Sequence, residues 1–449
     1  MDDRQGQPMN YDPQQLRLDG IYQQKGIDRY MQRVKIPAGA LSTEQARKLA
    51  ELADRHAGGR VHLTTRGSIE FHDLPAADLA SLNRGMASVG LTGRGACGGA
   101  VRGISCSTTF SEHYETCQAL ARRLHRHFAG NPWFEGLPKK FKIGVDGDSS
   151  SGRHLIQDVG LIYAGDKDGT PLWDLWCAGG LGRAPQTGFL LGNRIPEQRL
   201  VPLIEAIIRV YRKHTPKGKR LKSLLNEIGE AEFRSRLRLQ TAELPPAQVD
   251  NQLGQTLSKR SGATPVVTAR IFAGELQSRE LVELAVLAEQ YADGTLLLTA
   301  DQDIAFFPAT AASAALLEQQ LDSSRFSNRL PACRVCPGNH ECAMGLAPTR
   351  ELAHRLLEQF GTELQGHSLA LSGCPNSCSQ PQLAELGILP VKLVKDDDGS
   401  RSPRYDLYLR NSDDLGQSIA SGLDEPQLFQ AVADLLTHGF QPFNQGDTP

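Results

Sequence analysis

Residues 34–71 read VKIPAGALSTEQARKLAELADRHAGGRVHLTTRGSIEF and residues 269–306 read ARIFAGELQSRELVELAVLAEQYADGTLLLTADQDIAF; at an offset of 235 residues the two match without a gap. Ile36 meets Ile271, Gly39 meets Gly274 and Phe71 meets Phe306. Within each copy apolar positions first alternate and then recur at helical spacing, which predicts strand, glycine turn, amphipathic helix, glycine turn and strand. In the first copy Ser42-Thr43-Glu44 opens the helix, Leu49, Leu52 and Ala53 form its apolar stripe, and Gly58-Gly59 closes it before VHLTTR. Each copy therefore reads as a βαβ unit. Neither is long enough to close a sheet alone, so the two are expected to pair about a pseudo-two-fold axis.

The 449 residues carry 49 Lys and Arg against 51 Asp and Glu, a formal charge of −2. That length suggests two or three domains, and the composition is that of an ordinary globular chain. Near-neutrality removes any bulk attraction to nucleic acid or to an anionic membrane, so an anion site has to be local. No stretch approaches the roughly 20 apolar residues of a membrane span, and the opening MDDRQG has no apolar core; the expectation is a cytoplasmic protein. Nine cysteines, an odd number without an export signal, point to metal or redox use rather than a disulfide framework.

Each copy is followed by a region of different chemistry. After the first come GACGGAVRGISC, a helix through 114–128, and LPKKFKIGVDG; after the second come a cysteine cluster, a helix near 349–360, and LALSGCPNSC. One half presents basic residues where the other presents thiols, which suggests a composite site at their interface. The thiols are Cys333, Cys336 and Cys342, then Cys374 and Cys378 in SGCPNSC. Four thiolates can hold tetrahedral zinc or an iron–sulfur cluster. Cys333 and Cys336 have zinc-knuckle spacing, whereas the C-x5-C and C-x3-C pairs suit zinc less well. Gly338 and Gly373 fit loops whose backbone N–H groups approach a charged cluster, and Pro375 stiffens the second loop.

The pairing of C-x5-C (Cys336, Cys342) with GCPNxC (Gly373 to Cys378) on a duplicated chain resembles the sirohaem and [4Fe–4S] sulfite/nitrite reductase family, over nearly the whole length from LRLDGIYQQKG to LAELGI. The resemblance implies that Cys336, Cys342, Cys374 and Cys378 hold a [4Fe–4S] cluster and that Cys378 also ligates the sirohaem iron. Cys97, Cys106, Cys117, Cys177 and Cys333 are left as plain thiols. It also implies a distal anion-binding set: Arg66 in LTTRGSIEFH, Arg102 in GGAVRGISC, and Lys140 and Lys142 in LPKKFK, where alternate spacing puts both lysines on one face. Arginine offers a fixed fork of donors, and lysine crowded by cations has a lowered pKa and donates protons more readily. The chain departs from the family pattern at Gly67 (usually Gln or Asn), Glu70 (Gln) and Val101 (Asn).

Sirohaem carries eight carboxylates, and by resemblance Lys139, Arg220 and Lys222 are further cations for it, with Gln302 and Asn376 as neutral donors. Asp301 and Asp303 stand where the family commonly has Asn. CAGGLGRAPQTG (177–188) lacks dinucleotide-binding spacing and is similar to the family's cofactor-covering loop. With no flavin or nicotinamide motif, electrons are expected from a flavoprotein subunit or a ferredoxin. Cys106, four residues after Arg102, resembles the family's sulfite-reducing haemoprotein subunits, where its nitrite-reducing members tend to carry Arg-Asn-Pro, and this resemblance implies six-electron reduction of sulfite to sulfide. The competing readings are a nitrite reductase on the same cofactors, a relative like precorrin-3B synthase, and a non-catalytic iron–sulfur electron-transfer subunit.

The expected architecture is α+β and internally duplicated: an N-terminal arm (1–29), paired ferredoxin-like half-domains (30–93 with 265–328), a basic substrate and sirohaem lobe (94–250) and a cluster-binding lobe (329–449). The polar tail beyond Phe440 is expected to be mobile.

Overall fold

The computed structural model describes residues 12–26, 28–106, 113–242 and 265–440. The start of the expected arm, the expected boundary at 250 and the tail after Phe440 lie outside the described residues. Helix α1 (Pro13–Leu18) and strand β1 (Ile21–Gln23) lead into the first copy: β2 (Arg29–Lys35), β3 (Ala40–Ser42), α2 (Thr43–His56), β4 (Arg60–Leu63), β5 (Ser68–Pro75) and α3 (Leu79–Ala87). Ser42 caps α2: its side chain accepts from the Gln45 amide while the Gln45 side chain bonds back to Ser42, satisfying two otherwise unpaired donors. Ala46, Leu49, Ala50, Leu52 and Ala53 form the buried face.

The first lobe follows as β6 (Ser105–Cys106), α4 (Tyr114–Phe128), β7 (Ile143–Asp146), β8 (Val159–Lys167), β9 (Thr170–Cys177), β10 (Phe189–Pro196), α5 (Leu200–His214) and α6 (Leu221–Ala242). The second copy comprises β11 (Val267–Ala269), β12 (Glu275–Gln277), α7 (Ser278–Tyr291), β13 (Thr295–Leu298), β14 (Ile304–Phe306) and α8 (Ala311–Asp322). The second lobe has β15 (Ala332–Val335), α9 (Gly338–Glu341), α10 (Thr349–Phe360), β16 (Ser368–Leu371), β17 (Leu386–Lys395), β18 (Arg401–Leu409), β19 (Gln417–Leu423) and α11 (Glu425–Thr437).

The expected βαβ units take the ferredoxin-like form. β2 and β4 do not touch; each pairs antiparallel with β5 between them, which makes the unit a split βαβ of ferredoxin-like type. The copies then exchange their shortest strands. β3 leaves its own sheet to pair with β13, Leu41 opposite Leu296, and β12 pairs with β4, Leu276 opposite Val61. These are equivalent residues at the 235-residue offset, so the pseudo-two-fold axis expected from the repeat passes through this exchange.

The backbone that turns each strand across is equally paired. Gly39 and Gly274 have φ +78° and +67°, and a Cβ on either would stand 2.6 Å from the Leu298 carbonyl oxygen or 2.7 Å from that of Leu63. Both positions therefore require glycine. One apolar core, with Leu49 and Leu52 of α2 and Leu281 and Leu284 of α7, joins the two copies.

The two lobes share a topology. Each has a five-stranded sheet with strands in sequence order: three parallel strands, with α4 or α10 between the first two, and then an antiparallel meander. Phe128, Phe141, Trp173 and Tyr211 fill the first lobe; Leu356, Ile388 and Tyr405 fill the second. Among the described residues no helix is long and apolar enough to cross a membrane.

Candidate active site

The cysteine loops sit at the ends of β15 and β16. Gln302 bolts the end of β15 by accepting from the Val335 amide at 2.7 Å and donating to the Val335 and Leu63 carbonyls at 3.0 and 2.8 Å. Cys336 follows at once, and its sulfur accepts from the Gly373 amide at 3.0 Å. The short α9 carries the chain to Cys342; Cys374 and Cys378 lie on the loop after β16. Burial first, and neighbouring thiols second, push the Cys336 thiol well up, with Cys378 its main electrostatic neighbour. Burial likewise raises Cys342 and Cys374, and both feel Cys378. Asn376 hydrogen-bonds to Cys374 through both backbone and side chain. N–H donors aimed at the sulfurs of Cys336, Cys342 and Cys374 suit these residues as thiolates; among the described residues no three cysteine, histidine or carboxylate side chains are grouped to hold one metal ion.

The cations come from the other lobe and the first copy. Arg66 stands in the turn from β4 to β5 and donates to Gln157 at 2.8 Å and to the Gly103 and Ile143 carbonyls at 2.8 and 3.0 Å. Arg102 donates through Nη2 to the Gly98 carbonyl at 2.9 Å, while its buried Nη1 has no protein partner. Lys140 and Lys142 flank Phe141, which points into the lobe core, so the lysines face away from that core. Both are enclosed by protein yet keep accessible surface, the condition of groups lining a cleft. Burial, opposed by Cys378 and assisted by Arg220 and Arg102, brings Lys140 down to about 8. Lys142 is also held well below its ordinary value, by burial first and then by Lys140 and Arg66. Both lysines thus feel Cys378 as a counter-charge, and Lys140 also feels Arg102 while Lys142 feels Arg66.

The other expected contacts are placed as follows. Lys139 is exposed. Arg220 forms a buried ion pair with Asp158 at 2.6 Å, and the same carboxylate oxygen accepts from the Lys142 amide at 2.8 Å. Lys222 donates to the Gly180 and Leu181 carbonyls at 3.0 and 3.2 Å and also to Ala184, pinning the glycine-rich loop. Cys97, Cys106, Cys117, Cys177 and Cys333 are all buried; Cys106 packs in the first lobe's core, not on the cleft.

The departures have local causes. A Cβ on Gly67, at φ +61°, would stand 2.9 Å from the Leu298 carbonyl. Val101 is buried in the first lobe. Glu70 takes Arg33 at 2.7 Å and His72 at 3.2 Å. Sequence reasoning missed the web beyond it: His72 reaches Glu341 at 3.4 Å, and Arg350 grips Glu341 at 2.9 and 3.1 Å, beside Cys342. These residues lie on separate segments with no spacing to betray them.

The chain matches the family model "Nitrite and sulphite reductase 4Fe-4S domain" over residues 97–243, and "Nitrite/Sulfite reductase ferredoxin-like half domain" over 22–89 and again over 258–324. The matched segments make up more than half of the chain, and the half-domain is found twice, as the repeat requires. It is 27% identical to the Ferredoxin--nitrite reductase of Synechococcus elongatus, covering 92% of this chain and 86% of that protein. It is also 27% identical to Sulfite reductase [ferredoxin] 2 of Mycolicibacterium paratuberculosis, covering 88% and 75%. The fold is similar to that of the Mycobacterium tuberculosis NirA protein, with a TM-score of 0.81 at 22% identity over 97% of this chain and 88% of the other. With the half-domain found in both copies and the iron–sulfur domain model matched between them, the chain belongs to the nitrite and sulfite reductase family, an oxidoreductase whose prosthetic groups are sirohaem and a [4Fe–4S] cluster.

Proposed function

We propose that the protein reduces sulfite to sulfide, drawing single electrons from a separate ferredoxin-type donor. The observation that carries this reading is the buried, partnerless Nη1 of Arg102 beside two depressed lysines. A guanidinium nitrogen with no protein acceptor costs stability unless an anion takes it, and four cations on one cleft suit a dianion better than a monoanion. Cys336, Cys342, Cys374 and Cys378 would hold the cluster, Cys378 being shared with the sirohaem; Lys139 and Asn376 remain donors for its carboxylates. When bound, these groups supply an iron that takes the small anion and a store of single electrons.

The polypeptide supplies binding and protons. Sulfite needs six electrons and eight protons to become hydrogen sulfide and three waters. Arg66, held by three protein acceptors, is a rigid fork; Arg102 offers its free nitrogen to an anion oxygen. Lys140, with a pKa of about 8, is matched to giving up a proton near neutrality and regaining it from solvent. Enclosure of the set strengthens each of these interactions.

Support for a ferredoxin-type donor comes from relatives so named and from the exposed edge of the cluster loop at Cys342 and Met344. A flavoprotein subunit is the alternative donor. Nitrite, reduced to ammonia by the same number of electrons, is the alternative substrate, and relatives bearing that name favour it. Cys106 cannot discriminate the two by contact, because it faces the core. Steady-state reduction with a reduced viologen, quantifying sulfide and ammonia, decides: a higher kcat/KM for sulfite is expected, and preferential nitrite turnover would move the assignment to nitrite reductase.

A further inference from the structure

The two copies build the same turn twice. Thr64 accepts through its hydroxyl from the Arg66 and Ser68 amides at 3.3 and 3.1 Å; Thr299, its equivalent, accepts from Asp301 and Asp303 at 3.2 and 3.0 Å. The turns thus share a backbone, and Arg66 in one is Asp301 in the other. Their side chains have diverged to different ends.

Asp301 receives two guanidinium groups on one oxygen: Arg153 of the first lobe at 2.6 Å and Arg334 of β15 at 2.8 Å. Arg334 is almost wholly buried and spends its remaining donors on the carbonyls of Ser379, at 3.0 Å, and Gln380, at 3.3 Å. Those are the two residues after Cys378. The first-copy turn meets them from the other side: the Thr65 hydroxyl donates to the Cys378 carbonyl at 2.8 Å, and the Gln380 side chain donates to the Thr65 carbonyl at 3.3 Å. Ser372 and Ser379 close the loop on itself at 2.7 Å. The backbone that carries Cys378 is therefore held on both sides by equivalent turns, one of which also carries Arg66.

We propose that Thr65 and the Asp301–Arg334 pair form a clamp that positions Cys378, so that the duplicated turn serves anion binding in one copy and placement of the shared thiolate in the other. This rests on Cys378 joining the two prosthetic groups. The clamp acts through the backbone, so these are positioning residues. Asp301 answers a geometric need: Arg334 and Arg153, both deep in the protein, require a common carboxylate to stay charged and aimed. It also ties the cluster loop to the basic lobe, fixing the distance between the two faces of the cleft.

The test uses the holoprotein in three variants, T65V, T65S and D301N, with iron, acid-labile sulfide and tetrapyrrole counted in each. T65V is isosteric and keeps the fold testable where D301N, which takes the shared carboxylate from two buried arginines, proves unstable. Expected are wild-type cofactor counts in T65V, a displaced Soret band, altered electron paramagnetic resonance of the reduced protein, and turnover lowered roughly tenfold or more, the cost of a sub-ångström misplacement. T65S restores all three. Wild-type spectra in T65V and in folded D301N would overturn the clamp while leaving the site reading intact. A wild-type protein whose cluster and tetrapyrrole show no electronic coupling would overturn the role of Cys378, and the clamp with it.

Discussion

Lys140 sets a pH dependence that can be worked out in sign. Its free-protein pKa is about 8, lowered by burial and by neighbouring cations; a bound anion stabilises the ammonium and raises that value. Below pH 8 this lysine is already protonated and adds nothing to the pH dependence of affinity; above it each binding event must give Lys140 a proton, and its contribution lowers affinity by up to about tenfold per pH unit. The expected outcome is a KM for nitrite, whose own ionisation lies far below this range, that climbs above about pH 8 with a step belonging to Lys140. In Lys140→Met the climb is lost or moved. At this scale the sequence was most legible where function needs a charge in a motif: Lys140 and Lys142 feel Cys378, and feel Arg102 and Arg66 respectively. It was less so for side chains whose work is internal. Gln302 clamps β15, Lys222 pins a loop and Arg220 faces Asp158, and a residue type alone does not say whether its partner is a ligand or a carbonyl.

The exchanged strands make a sharp prediction for the elements. Gly39→Ala and Gly274→Ala each place a methyl against a carbonyl oxygen of the other copy in a backbone conformation that disfavours side chains. Each should destabilise the protein by about 1–3 kcal/mol, read as a lower unfolding midpoint. Equal losses would reflect the pseudo-two-fold relation, and a neutral result at both would contradict the exchange. The repeat, the helix starts and the pairing of copies were readable because the 3.6-residue period of α2 and the Ser42 cap are local signals. The exchange was not. β3 and β12 have three residues each, too few for a period, and their partners are set by the other copy's edge. β5 and β14, inserted between the outer strands of each unit, escaped for a similar reason: alternation shows a strand but not its neighbour.

At the scale of the molecule, duplication explains why one chain can offer opposite chemistries across a cleft. Two lobes of the same topology face each other, one contributing cations and the other thiols, and two equivalent turns reach the last cysteine from the joined half-domains. The central claim is that anion binding and cofactor ligation meet on this cleft. The most direct test is a sulfite titration of the holoprotein followed by its visible spectrum, comparing wild type with Arg102→Met, which removes the buried Nη1 that has no protein acceptor. Loss of one hydrogen bond to a charged group costs about 1.5–3 kcal/mol. The account predicts full sirohaem and cluster content in the variant with the anion-dependent spectral shift moved to roughly tenfold or more higher sulfite. An unchanged titration in a fully loaded variant would contradict it.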